Sequence, residues 1–199
     1  MMNARETFGP LCAYRPLVIG LTGKRHVGKT TAANHLVDAF GFARVHPFDG
    51  GKVAAVAYFE HLGAPPDIAR RMAFGDLRDQ PSPYLPGNAL PRLFLEKFGR
   101  FMGETMGSDW TLGEEMARSW RATPAQPLVV ESVVYEAPAI RAVGGVIIRI
   151  TRPDHSGPAG VESDGVQAAI DADAEIVNDG DLSVFLAAVG RFTRKTVGR

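Results

Sequence analysis

"GLTGKRHVGKTT", residues 20–31, follows the apolar run "PLVI" (16–19) and precedes "AANHLVDAF" (32–40), whose apolar residues recur at helical spacing. A glycine-rich turn carrying two lysines between a strand and a helix suits a bound phosphate. Residues Gly23 to Thr30 fit G-x-x-x-x-G-K-[ST] at each fixed position, in the strand–turn–helix setting that the motif requires. Gly23 and Gly28 let the backbone turn tightly, so that successive N–H groups at a helix N-terminus point at anionic oxygen. Lys29 then reaches the β- and γ-phosphates, and the Thr30 hydroxyl completes the shell of a Mg²⁺ that otherwise keeps its waters. The expected nucleotide-binding loop comprises Gly23, Lys24, Arg25, His26, Val27, Gly28, Lys29, Thr30 and Thr31, with Thr30 as the metal ligand. At Lys24, Arg25 and His26 two readings stay open, solvated loop charge or phosphate contact; the backbone binds in either case. The competing reading of the whole stretch is a tight turn with an N-cap threonine.

Outward from this loop, short apolar runs alternate with longer helical patterns. "PLVIGL" (16–21), "FARVHPF" (42–48), "PLVVES" (127–132), "GVIIRIT" (145–151) and "AEIVN" (174–178) read as strands. Helices are expected from Thr30 to about Phe40, through 52–62 and 90–107, around 136–143 and from Asp181. Strands alternating with helices predict an α/β fold, a parallel sheet covered by helices on both faces. The Gly- and Pro-rich stretch "PDHSGPAGVESDGV" (153–166) reads as loop, as does "DQPSPYLPGNALP" (79–91) with its four prolines.

The 199 residues, 45% hydrophobic and 22% charged, suffice for one domain with one sizeable core. Lys+Arg and Asp+Glu both total 22, so net charge argues for neither a nucleic-acid nor a membrane partner, and any phosphate site must concentrate charge locally. The single cysteine, Cys12, excludes an internal disulfide and a multi-cysteine metal site and fits a reducing compartment, with the cytoplasm as the default. No apolar run approaches the roughly 18 residues needed to span a bilayer, and Arg5, Arg15 and Pro16 interrupt the N-terminal one. No export or membrane segment is expected, and a homodimer is left open.

A phosphate loop serves a switch, a motor, a transporter subunit or a small-molecule kinase. Guanine-specific switches need an N-K-x-D loop, and no Asn here is followed by Lys. The chain is short for a motor, which leaves a compact kinase or a nucleotide-binding module without catalysis. Phosphoryl transfer asks for positive groups on the moving phosphoryl and on the acceptor, with water excluded. Arg149 and Arg152 lie in and after "GVIIRIT", where a parallel strand ends near the ligand crevice. Strand alternation separates them: Arg149 goes with Thr151, Arg152 with Ile148 and Ile150. Arg149 is read equally as an exposed strand arginine, whereas Arg152 at the strand exit is read as functional. Glu131, closing "PLVVE", is placed to hold Mg²⁺ through water or to orient the acceptor.

From about residue 17 to 189 the sequence resembles the phage-type deoxynucleoside monophosphate kinases of the P-loop kinase superfamily. "LTGKRHVGKTTAANHL" is similar to the family's "SGKKRSGKDTVADYL", and "VHPFDGGKVAAVAY" to its "FAxPLK" segment. "LPRLFLEKFGRFMGETMGSDWTLGEEM" resembles "TPRxLLQxLGTExxRxxxxDxW", with Arg92, Gly99, Asp109 and Trp110 matching. "RAVGGVIIRITRP", "ESD" and "DADAEIVNDGDLSVFL" resemble "GGxVIRIxRP", "SE" and "ADYxIxNDGTLEEL". The resemblance implies that Arg92 contacts the acceptor nucleotide, that Arg152 belongs to a lid and the active centre, and that Asn178 and Gly180 form the turn beside the base.

The departures fall in the acceptor half. Arg100 and Glu104 stand where the family tends to have Thr and Arg, and "VVESVVYEAP" lacks the arginine of "DVRFxNE", keeping Glu131 and Glu136 as acids. Thr30, replacing the family's usual aspartate, restores the commoner loop chemistry. Leu93, Phe94, Phe98, Phe101 and Met102 are expected to face inward, with Arg92, Glu96 and Arg100 on a polar side. Trp110 is expected in the core. The basic tail "RFTRKTVGR" complements a helix dipole, and nucleic acid is not expected to bind there.

The expectation is thus a single kinase domain over 1–199 with a lid at about 153–172. ATP and Mg²⁺ are the cofactors and small nucleotides the partners. Lys29 and Arg152 are the catalytic groups, and Arg92, Arg100 and Glu131 the acceptor-binding ones. Alternative acceptors are dephospho-coenzyme A or a modified base in DNA; the remaining alternative is a non-catalytic nucleotide-binding module.

Overall fold

The computed structural model describes residues 16–153, 155 and 162–198. Cys12, the N-terminal stretch, and residues 154 and 156–161 of the expected lid lie outside the described residues. The chain divides into two compact units, one of residues up to Pro47 together with those from Leu112 onward, the other Phe48–Thr111.

The first unit carries the sheet. Its strands β1 (Val18–Thr22), β2 (Ala43–Val45), β3 (Leu128–Glu131), β4 (Val146–Thr151) and β5 (Ala174–Val177) are all parallel, in the order β2-β3-β1-β4-β5. Around it run α1 (Lys29–Phe40), α5 (Ser108–Ala122), α6 (Ala137–Ala142), α7 (Glu162–Ala169) and α8 (Leu182–Val197). Strand alternation sorts the core. Ile19, Leu21, Val129, Ile148 and Ile150 pack with Ala32, Ala33 and Leu36 of α1 and Phe185 and Val189 of α8. Val18, Leu128, Val130 and Ile147 pack with Leu112, Met116 and Trp120 of α5 and Ile140 of α6. Both faces of each central strand are therefore buried, which is why these strands read as unbroken apolar runs.

The parallel α/β sheet flanked by helices is the fold expected from the sequence. Its connections set the position of the site. β1 leads to β2 on one side of the sheet, and β4 leads to β5 on the other. Adjacent strands whose connections diverge leave a crevice outside their carboxyl ends, where α/β proteins take ligands.

Trp110 and the stretch 153–166 depart from the sequence expectation. Trp110 is 42% exposed, and Trp120 on the same helix is the buried tryptophan, its Nε1 donating to the Gln126 carbonyl at 3.0 Å. The inward stripe of α5 is Leu112, Met116 and Trp120 at steps of four, and position 110 lies off that stripe. The stretch read as loop to residue 166 is helical from Glu162 onward, because "ESDGVQAA" carries no proline and one turn-forming glycine is insufficient to break it.

The second unit is helical: α2 (Asp49–His61), α3 (Pro66–Phe74) and α4 (Pro91–Met106), with 3₁₀ turns at Asp76–Asp79 and Pro86–Asn88. Its core is Ala55, Phe59, Ala69, Met72 and Leu95, with Phe48, Phe94 and Phe98 packed against it. The inward stripe of α4 is Pro91, Phe94, Leu95 and Phe98, whereas Leu93 and Phe101, expected inside, are 49% and 59% exposed. Position 93, two residues from Leu95, lies on the opposite side of the helix, whereas Phe101 continues the Phe94 face two turns on, beyond the residues packed into this core. Among the described residues no helix is long and apolar enough to cross a membrane.

Candidate functional site

β1 delivers the chain to Gly23, whose φ is +130°. A Cβ built there would lie 2.2 Å from the carbonyl oxygen of Ile150 in β4, so only glycine lets the loop rest on that strand. His26 has φ 63° and Gly28, the N-cap of α1, has φ 111°. A left-handed conformation costs a non-glycine residue roughly 1–2 kcal/mol. That His26 is held in one marks a backbone shaped for something other than its own stability. Left-handed residues among right-handed ones form a concavity in which N–H groups converge, here at the positive end of α1.

Lys29 folds over the loop it follows, its Nζ donating to the carbonyls of Gly23 at 2.5 Å and Lys24 at 2.6 Å. Beside it the Thr30 hydroxyl donates to Oε1 of Glu131. Register brings the carboxylate there: Glu131 pairs with Leu21, on the strand next to β1. Arg44 of β2 lies 3.4 Å from the other carboxylate oxygen of Glu131 and donates to Asn34 of α1. Arg44 and Asn34 were not singled out from the sequence. Alternation in "ARV" gave the available signal, since Arg44 pairs with Val129, two residues before Glu131 on the same face.

A hydroxyl beside a single carboxylate is a hard-oxygen donor pair. Among the described residues there is no cluster of three or more His, Cys, Asp or Glu side chains able to hold a metal. Thr30 and Glu131 thus fit a Mg²⁺ that keeps several waters and takes its remaining ligands from a phosphate chain.

A cavity of about 240 Å³ opens between the glycine-rich loop and the ends of β4 and α7. Gly23, Lys24 and Val27 line it from the loop, Arg149 to Arg152 and His155 from the β4 side, and Gln167 and Ala168 from α7. Among the described lining residues the charged groups are cationic. Arg149 donates to the carbonyls of Gln167, at 3.4 Å, and Ile170, where α7 ends. Cationic side chains commonly close helices in this way. Its Nε is buried with no partner among the described residues. Arg152 is exposed at the strand exit.

Asn178, expected beside a base, grips the loop: its Nδ2 donates to the Val27 carbonyl at 2.9 Å. Gly180 has φ 113° with open space around it. His155, absent from the sequence reading, places Nε2 2.7 Å from the Arg25 carbonyl oxygen. Glu136 accepts from the N–H groups of Val134 and Tyr135 at 2.8 and 2.9 Å, a turn-shaping role.

Arg92 and Arg100 belong to the helical unit. Arg92 makes a two-pronged pair with Asp79, its terminal nitrogen 2.6 Å from Oδ2. The Asp79 hydrogen bond holds the guanidinium above its ordinary pKa, against the opposing effect of partial burial. Arg100 donates to Glu104 at 2.6 Å in an exposed pair one turn along α4, an arrangement worth little in stability. Arg71 and Asp76 form another two-pronged pair, and that hydrogen bonding pulls the Asp76 carboxyl down to about 2.

No protein-family profile and no curated protein matches the chain. Among solved structures it is similar to TT1252 from Thermus thermophilus, at 16% identity and a TM-score of 0.45 over 90% of this chain and 97% of that one. It is also similar to dephospho-CoA kinase from Campylobacter jejuni, at 15% identity and a TM-score of 0.45 over 90% of this chain and 96% of that one. Likeness at this level assigns no substrate, and the chemistry of the site rests on its own residues.

Proposed function

We propose that the protein is an ATP- and Mg²⁺-dependent phosphotransferase that moves the γ-phosphoryl to a phosphate-bearing small acceptor, a (deoxy)nucleoside monophosphate. The observation that carries this reading is the conjunction at the end of β1: a left-handed loop at a helix N-terminus, with Lys29 folded over it and Thr30 bonded to Glu131. Bound Mg²⁺ would supply charge neutralisation on the β- and γ-phosphates.

The protein's own groups do the rest. The loop N–H groups hold the phosphate chain. Lys29 exchanges two neutral carbonyl partners for phosphate oxygens, so that its ammonium meets a full negative charge in place of a carbonyl dipole. Arg152, exposed beside the cavity, is free in reach to meet the transferring phosphoryl. No strong base is needed, because a phosphate acceptor is already anionic near neutral pH. Arg92 and Arg100 are the proposed acceptor-phosphate groups, on the resemblance carried by "LPR" and its surroundings. A cytoplasm that supplies ATP is the setting this chemistry calls for.

The test is a panel of nucleoside and deoxynucleoside monophosphates with ATP·Mg²⁺, read as diphosphate formation, with dephospho-coenzyme A as a further arm. Turnover of a monophosphate supports the reading, and turnover of dephospho-coenzyme A alone reassigns the acceptor. Tight ATP binding with no acceptor used reduces the protein to a nucleotide-binding module.

A further inference from the structure

The phosphate loop is braced from outside by two side chains, one from the connection leaving β4, next to β1, and one from that leaving β5, the strand beyond. Asn178, directly after β5, donates from Nδ2 to the carbonyl of Val27 at 2.9 Å. His155, after β4, places Nε2 2.7 Å from the carbonyl oxygen of Arg25. Asn178 is itself fixed, its backbone N–H donating to the Thr151 carbonyl at 2.8 Å. There is no slack beneath the loop: a Cβ on Gly28 would come within 2.7 Å of the Asn178 amide nitrogen.

A trans peptide is planar, with its C=O and the following N–H pointing in opposite directions. None of the described peptides is cis. A side chain that fixes the Val27 carbonyl therefore fixes the Gly28 N–H on the other side of the same plane. The bond to the Arg25 carbonyl fixes the His26 N–H in the same way. Both amides belong to left-handed residues of the loop, at φ 111° and 63°.

We propose that Asn178 and His155 are positioning residues that hold the Gly28 and His26 amides aimed into the loop, ready for phosphate oxygen. The gain is preorganisation: a peptide that must rotate on binding spends part of the interaction on its own ordering. The same bond requires His155 to carry a proton on Nε2. This assignment rests on the reading of residues 23–31 as a phosphate site.

The test uses the full chain labelled with ¹⁵N and titrated with ADP, which binds the loop without turnover. In the wild type the Gly28 and His26 amide signals should move downfield as phosphate binds. Asn178→Ala should abolish the Gly28 displacement and His155→Ala that of His26, with ADP affinity about tenfold weaker in each, the scale of one misaligned charge-assisted bond. His155→Gln, which keeps a donor, should recover part of the loss. The His155 variants carry the same test should Asn178→Ala fold poorly, as a ligand-free melt would reveal. Variants that bind ADP within twofold of the wild type, with both amide displacements intact, overturn the proposal and leave the phosphate site standing. A wild type that binds no ADP overturns the phosphate-site reading and this one with it.

Discussion

Gly23→Ala is the substitution whose cost can be worked most directly from the structure. The added Cβ would sit 2.2 Å from the Ile150 carbonyl oxygen and 3.2 Å from its carbon. Carbon and oxygen ordinarily approach to about 3.3 Å, so the shortfall is about 1 Å. Ile150 cannot yield it, because β4 is bound on both sides, to β1 and to β5. The loop has to retreat instead. An L-residue at φ +130° adds conformational strain of about 1–2 kcal/mol, and forcing atoms into a packed contact adds typically 1–3 kcal/mol.

The combined cost, roughly 2–5 kcal/mol, corresponds to a fall in Tm of roughly 4–20 °C for a chain of this size. Where the loop moves and the fold survives, a displacement near 1 Å is enough to cost about 100-fold in function. Gly28→Ala is the matched comparison, since its Cβ would meet the side-chain amide of Asn178 at 2.7 Å, and a side chain can turn away where a strand backbone cannot. The assay is a thermal melt of both variants with and without ADP·Mg²⁺, together with ADP affinity by calorimetry. Gly23→Ala should be the worse of the two by both measures. A Gly23→Ala protein that melts within 2 °C of the wild type, by the same scale of roughly 2–4 °C per kcal/mol, and binds ADP equally would refute the argument that the loop rests on β4.

Lys29→Ala should leave a folded protein whose transfer rate falls about 10²–10³-fold or more, the cost of losing one electrostatic contact to the moving charge, as measured by diphosphate formation. Glu131→Gln should raise the Mg²⁺ concentration needed for half-maximal turnover while ADP affinity without metal stays unchanged; an unaltered Mg²⁺ dependence would remove Glu131 from the metal site. Arg92→Ala should raise the KM for the monophosphate or depress turnover, with ATP binding unaffected, and unchanged kinetics would end its acceptor role. The Asp76 carboxyl is held below its ordinary 3.8 by the Arg71 hydrogen bonds, so its contribution is whole above about pH 4 and is lost as the pH falls toward about 2. Asp76→Asn should remove that acid-induced step from a stability profile, and a profile matching the wild type would argue that the pair contributes nothing.

What the sequence made legible was whatever repeats or recurs with a period. The central strands were readable because burial on both faces produces unbroken runs such as "VIGLT" and "VIIRIT", and the edge strands because shorter runs, "ARV" and "AEIV", recur between helical patterns. The glycine-rich loop was readable because glycine, lysine and threonine each answer a local demand of backbone or charge within eight residues. Helix faces were harder: a stripe must be phased and also ended, and in α4 Leu93 was put inside when Leu95 holds that place, while Phe101, in phase with Phe94, lies past the end of the core. Arg92 is carried on the same helix, and its partner Asp79 comes from a 3₁₀ turn that has no period to read.

The site's supporting contacts were illegible for a deeper reason. Arg44 meets Glu131 only because β2 and β3 become neighbours, although 87 positions in the chain separate them. Asn178 and His155 reach loop carbonyls 151 and 130 positions away. A backbone carbonyl accepts from any donor, so nothing in the identity of Val27 or Arg25 announces which side chain will hold it. A motif therefore reveals the groups that face the ligand, whose chemistry restricts residue type, and conceals those that aim them, whose task restricts only position. Sequence resemblance at "NDG" placed Asn178 near the nucleotide, yet the direction of its amide, toward the Val27 carbonyl, follows from β5 ending two strands from β1.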